Sequence, residues 1–154
     1  MNPGLTRVLS PLVFCAALVA GCGGGGPDAE PVASTDAVSR INGAYAPATY
    51  VFRNQGELSA AWSPAPQLGQ TTTDSPTYDF STSMIVGVSL GTGIRCYIPT
   101  ITKVVRSGNT MTVSWKSGAP NGPTTLACLH SWPLNAFVSV PQHSGTVEFV
   151  RVDS

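Results

Sequence analysis

Charge is scarce in this chain. Asp, Glu, Lys and Arg make up 10% of its 154 residues, against ~25% in a typical soluble domain. The 8 basic and 8 acidic residues cancel to a formal net charge of zero. A basic footprint for nucleic acid is absent, and partners are met without strong electrostatic steering. Histidine is nearly missing, with 2 in all, His130 and His143. Cys128 and His130 would share a face on a strand, but no CxxC or HxxxH pair completes a zinc set. No G-x-S-x-G elbow occurs for a Ser-His-Asp hydrolase. The carboxylates Glu57, Asp74, Asp79, Glu148 and Asp153 are too scattered for glycosidase chemistry. The glycines at 23–26 lack the lysine and helix of a phosphate loop. No apolar run reaches the ~20 residues of a transmembrane helix. Nothing in the chain calls for a metal or a cofactor.

What is present begins at the N-terminus. Arg7 precedes a short apolar stretch, Val8 to Val19, which ends in Val19-Ala20-Gly21-Cys22. The length suits a signal sequence. The pattern resembles the lipobox of bacterial lipoproteins. That resemblance implies cleavage before Cys22, a diacylglyceryl group on its thiol and further acylation such as palmitate. It implies a mature protein held at the bacterial cell envelope by lipid. Gly23 is not the aspartate that retains such proteins in the inner membrane, which favours the outer one. Lipid contributes ~0.8 kcal/mol per buried methylene, so several chains on one cysteine anchor firmly.

Residues 23–40 read GGGGPDAEPVASTDAVSR. Glycine gives backbone freedom, and Pro27 and Pro31 oppose helix and sheet. The stretch reads as a flexible tether giving roughly 25 Å of stand-off. The expected organisation is a signal peptide at 1–21, a lipidated tether at 22–41 and one folded domain at 42–154. Cys15 leaves with the signal and Cys22 carries lipid. Cys96 and Cys128 remain, in a compartment that permits disulfides, and are expected to pair. Closing a loop of about 30 residues would stabilise by roughly 3–4 kcal/mol on the chain-entropy model.

The folded part alternates like a β-protein. Residues 48–53 (ATYVFR) read as a first strand. Asn54 with Glu57 three residues on is a capping-box-like start. Leu58, Ala61 and Trp62 have helical spacing, so a short helix over 55–62 is expected, with Trp62 as a core anchor. Pro64 and Pro66 end it. Asp79 to Leu90 reads as a central strand with Met84, Val86, Val88 and Leu90 on one face. Tyr97–Arg106 and Thr110–Lys116 flank the turn cluster Ser107-Gly108-Asn109, the clearest hairpin in the chain. Thr125–Trp132 and Ala136–Val140 read as strands interrupted at Pro133, and Gly145–Val152 as the last. His143 is expected in an exposed turn, and His130 half-buried beside Trp132. About seven strands and one helix predict a small antiparallel β-sandwich or open barrel with a helical lid.

The order of these pieces resembles the C-terminal domain of the PrcB protease-complex subunit family. The resemblance rests on FRNQGELSAAW, on YDFSTSMIVGVSLG followed by a Gly/Thr turn, on CYIPTITKVVRSGNTMTVSW, on SWPLNAFVSVP and on GTVEFVRV. It covers about residues 48–152. It implies a non-enzymatic, lipoprotein-type partner of a secreted serine protease. Where the family turn usually reads Thr-Gly-Gly-Tyr, this chain has GTGIRCY over 91–97, with Cys96 in place of the second glycine.

Surface recognition is what the chemistry leaves. Arg95 and Tyr97 would project from a loop pinned at Cys96, and both residue types are enriched among interface anchors. Trp132 and Phe137 flank Pro133, and Trp115 ends the hairpin. These aromatics either fill the core or join residues 91–97 and 131–135 into one docking edge. The expected protein is thus a membrane-anchored binding module with a protein partner. The alternatives are a structural envelope lipoprotein unrelated to proteases and, more remotely, a small hydrolase.

Overall fold

A computed structural model describes residues 29–65, 68–69, 74–94, 97–118 and 131–152. The segments expected to carry the signal, Cys22, Arg95, the Cys96–Cys128 pair and His130 lie outside the described residues.

The elements, in chain order, are β1 (Glu30–Pro31), β2 (Thr35–Asp36), β3 (Ala48–Phe52), α1 (Gln55–Ala61), β4 (Ser83–Ile94), β5 (Ile98–Ser107), β6 (Thr110–Gly118), β7 (Ser131–Pro141) and β8 (Thr146–Arg151). They form two four-stranded sheets, ordered β1-β5-β6-β8 and β2-β7-β4-β3. The expected β-sandwich with one short helix is therefore the fold. One pair departs from antiparallel: β8 runs parallel to β6, with Thr110 opposite Thr146 and Trp115 opposite Arg151.

Alternation along the strands builds two cores, because successive side chains point to opposite faces. Met84, Val86, Val104, Met111, Val113 and Val140 fill the space between the sheets. The opposite face of the second sheet carries Phe52, Ile85 and Phe137, covered by Ala37, Ile41, Tyr45, Leu58 and Trp62. Sheet β2-β7-β4-β3 is thus buried on both sides, which explains the nearly unbroken apolar run Met84-Ile85-Val86 in β4.

The helix follows its local signals. Asn54 is extended, and its side-chain oxygen accepts the Glu57 N–H at 3.0 Å. Glu57 reaches back to accept the Arg53 N–H at 2.6 Å, one residue before the cap. Trp62 ends the helix and is a core residue, its indole N–H donating to the Asn42 carbonyl at 3.0 Å. The β5–β6 hairpin turns at Gly108-Asn109, between paired Ser107 and Thr110. Gly108 has φ +58° and Asn109 is not positive, the type II′ pattern that matches strand twist.

The stretch before residue 42 is not free tether from Glu30 onward. Glu30 and Pro31 pair with Arg106 and Val105, and Thr35 and Asp36 pair with Ser139 and Val138. Pro31 is tolerated because β1 is an edge strand. Ala37 and Ile41 are fully buried, so their burial holds the segment down.

Pro133 does not break β7, which runs through it opposite Thr92. The Ala37 N–H donates to the Phe137 carbonyl at 2.9 Å. By alternation the backbone groups of Phe137, Asn135 and Pro133 all point away from β4. The proline therefore lacks a donor only on the side that needs none for the ladder.

The central strand starts at Ser83 and extends to Ile94. Residues 79–82 form a bend in which the Asp79 carboxylate accepts the Ser81 N–H at 2.9 Å. The Gly/Thr turn is a bulge inside this strand. The β4–β7 register shifts between Ser89 and Thr92, and Gly91 takes φ +81°. The Ser89 hydroxyl donates to the Tyr45 carbonyl at 3.1 Å and accepts the Gly91 N–H at 3.0 Å, fixing the kink.

His143 is buried at 9% exposure, not solvent-facing. Arg53 from the end of β3 holds the loop, its Nε donating to the His143 carbonyl at 3.1 Å and a terminal nitrogen to the Gly145 carbonyl at 2.9 Å.

Candidate functional site

The two segments expected to form a docking edge lie side by side, as paired strand ends and not as loops. Past the bulge, Thr92, Gly93 and Ile94 of β4 stand opposite Pro133, Trp132 and Ser131 of β7. The start of β5 lies at the same end, with Ile98 opposite Gly118 of β6. Ile94 is 48% exposed and Tyr97 57%. They are two of the three large apolar side chains left exposed among the described residues, the third being Val150. Trp132 is half-buried here. The tip thus gathers the exposed side chains of Ile94 and Tyr97 around a paired strand end, the composition of a protein-contact surface.

Phe137 belongs to the interior. It is 1% exposed and its ring stands 4.9 Å from Tyr45, 6.0 Å from Tyr50 and 5.9 Å from Phe52 between centroids. It fixes β7 beneath the tip and cannot itself touch a partner. Trp115 is half-buried within β6, opposite Arg151, whose guanidinium is 5.4 Å from its ring centroid. Sequence periodicity could not separate Phe137 from Trp132, because which face of β7 is covered depends on the distant segment 37–45.

An open groove of about 380 Å³ runs below the tip between the edges of β5 and β7. Ile98, Ile101 and Val138 line it, with Asn135 at its wall. Asn135 is buried and donates its amide to the Gly43 carbonyl at 2.9 Å. Its side-chain oxygen has no hydrogen-bond partner. Among the described residues only Asp36 brings a charge to this groove.

A second depression, about 490 Å³, is lined by Arg40, Thr77, Tyr78, Asp79, Thr82 and Ser83. Its hydroxyls serve the fold. The Tyr78 and Ser139 hydroxyls lie 2.6 Å apart, and Tyr78 is 3.1 Å from Ser83. The Ser81 N–H beside the Asp79 carboxylate holds that group below its ordinary range. Burial pushes the Tyr45 phenol well above its ordinary value, with Tyr50 adding to the effect. Its hydroxyl donates to the Ile41 carbonyl at 2.7 Å. The Tyr45 shift belongs to the packed aromatic cluster, and the Asp79 shift to the bend at residues 79–82.

His143 is placed for structure. Its Nε2 is buried without a partner, and its carbonyl is held by Arg53. Among the described residues no three His, Cys, Asp or Glu side chains converge as a metal site, and no helix is long and apolar enough to cross a membrane. No family model, no curated protein and no solved structure matches this chain.

Proposed function

We propose that this protein is a lipid-anchored, non-catalytic binding module of the bacterial cell envelope, and that the tip carrying Ile94 and Tyr97 holds a protein partner. The observation that carries the reading is the run Val19-Ala20-Gly21-Cys22 after a short apolar stretch. It supplies an acylation site where a signal sequence ends. The exposed apolar tip, on strands stiffened by a bulge and by the aromatic cluster, supports the binding half of the reading. A rigid surface loses little conformational freedom on association.

The anchor is short. With the chain paired from Glu30 onward, residues 23–29 alone separate Cys22 from the body. Seven residues span at most ~25 Å when fully extended. The body is held within that reach of the bilayer, in the outer membrane by the character of Gly23. The resemblance to the PrcB C-terminal domain makes a secreted serine protease the partner class to try first.

The test has two arms. Cys22→Ser should abolish incorporation of labelled palmitate and release the protein from membranes. Retention of the unlabelled variant in the membrane fraction counts against the anchor. Crosslinking in intact envelopes should capture a protein through the tip, and Tyr97→Ala should weaken that capture without changing the circular dichroism. Equal capture by the Tyr97 variant removes the tip from the interface.

A further inference from the structure

We infer that β8 is a self-pairing edge through which two copies of this chain join their sheets about a two-fold axis. This goes beyond the anchored binding module and does not depend on it.

The sheets end in β1, β2, β3 and β8, and among the described residues β5 is also uncovered beyond β1 over residues 98–103, a stretch blunted by Pro99 and Lys103. β1 and β2 are two residues long, and β1 contains Pro31. Short or proline-bearing edges are blunted against further pairing. β3 offers little more. The Phe137 carbonyl faces β2, so Val138 and its opposite Val86 bond to each other, and β4 turns Ile85, Gly87 and Ser89 toward β3. Within β3 only Thr49 and Val51 then point their backbone outward.

β8 is different. Its six residues, TVEFVR, include no proline, glycine or lysine. The Thr146 N–H donates to the Asn109 carbonyl at 3.0 Å, and the Val152 N–H to the Trp115 carbonyl at 2.8 Å. Even-numbered residues therefore face β6. The N–H and C=O groups of Val147, Phe149 and Arg151 face the other way, where no strand lies among the described residues. The strand is half-exposed along its length, and Val150 is 44% exposed.

A second copy fits this edge. Antiparallel pairing about a two-fold axis through Phe149 sets Phe149 opposite Phe149 and Val147 opposite Arg151. All three outward residues of each copy then become hydrogen-bonded pairs. On the outer face Glu148 comes opposite Val150, so no like charges meet. A chain with a formal net charge of zero adds no long-range repulsion between copies. The product is one continuous eight-stranded sheet with Val150 beside Glu148 of the other copy.

Sedimentation equilibrium of the full-length protein in detergent, under reducing conditions, tests the assignment. The protein should shift with concentration to twice the single-chain mass. Val150→Glu leaves both cores untouched and sets a second carboxylate opposite Glu148 of the other copy at two places. It should weaken association about tenfold. Val147→Pro removes an outward N–H that β6 does not use and should do the same while keeping the strand-type circular dichroism. A single-chain mass at every concentration overturns the inference, as does a dimer that survives both substitutions.

Discussion

Phe137 packs directly against Gly87: a Cβ built on Gly87 would overlap Cδ1 of that ring and the Ala136 carbonyl oxygen. The two residues are opposite each other in the β4–β7 ladder. The glycine is thus the floor on which the Tyr45, Tyr50, Phe52 and Phe137 rings gather. Gly87→Ala should destabilise by about 1–3 kcal/mol, because overpacking forces the ring or the strand to shift. The urea midpoint should fall with little change in slope; an unchanged midpoint would mean the ring can move aside freely.

The start of the helix gives a smaller effect. Asn54→Ala removes the acceptor for the Glu57 N–H and should cost about 1 kcal/mol. Asn54→Asp should restore most of it, since the carboxylate accepts the same bond and sits well at a helix N-terminus. Thermal melts of the three proteins decide the matter.

Arg53 should matter more than its position after a strand suggests. Its guanidinium makes two bonds to the carbonyls of His143 and Gly145. Hydrogen bonds to charged groups contribute ~1.5–3 kcal/mol each, less where solvent reaches them. Arg53→Met should destabilise by about 2 kcal/mol and raise amide exchange across residues 142–146. Unchanged exchange there would show that the loop holds itself.

Alkaline stability should report the aromatic cluster. Burial raises the Tyr45 pKa in the folded protein above the value of about 10 that the unfolded chain has. A raised folded pKa means that the unfolded state loses its proton first. The contribution is therefore complete below about pH 10 and is lost as pH rises toward the folded pKa. Tyr45→Phe should flatten the fall in stability above pH 10 while losing about 1 kcal/mol at neutral pH with the bond to Ile41. An equally steep fall in the variant would place the titration elsewhere.

The expected Cys96–Cys128 bridge is checked by thiol counting. Cys96→Ala should leave one additional titratable thiol under denaturing, non-reducing conditions and lower the melting temperature. The chain-entropy estimate for the lost loop closure is roughly 3–4 kcal/mol. If neither thiols nor melting change, the two cysteines are not joined.

What could be read from the sequence was local. The helix start at Asn54, the hairpin turn at Gly108-Asn109, the anchoring role of Trp62 and the shared face of Met84 and Val86 each follow from residues within a few positions of one another. What could not be read depended on distant partners. Pro31 and Pro133 look like strand breakers until one knows that each turns its missing N–H toward an edge. Gly91 resembles a turn glycine because a bulge and a turn both call for positive φ. His143 sits in a sequence suited to a surface turn, and only Arg53, far back in the chain, draws that turn inward. The parallel placement of β8 leaves no mark in its own residues. The same holds for the tip: its segments read as loops, and both their pairing as strand ends and the split between buried Phe137 and half-buried Trp132 depend on partners far off in the chain.

The pairing of Glu30 with Arg106 and of Thr35 with Ser139 also fixes an order of events. Glu30 and Pro31 have no strand partner until residues 105–106 exist, and Thr35 and Asp36 none until residues 138–139 exist. Contacts between positions so far apart form late, after loop closure has been achieved by others. The N-terminal segment is thus a clasp across both sheets, and under the proposed lipid anchoring it would be the first stretch to feel any pull.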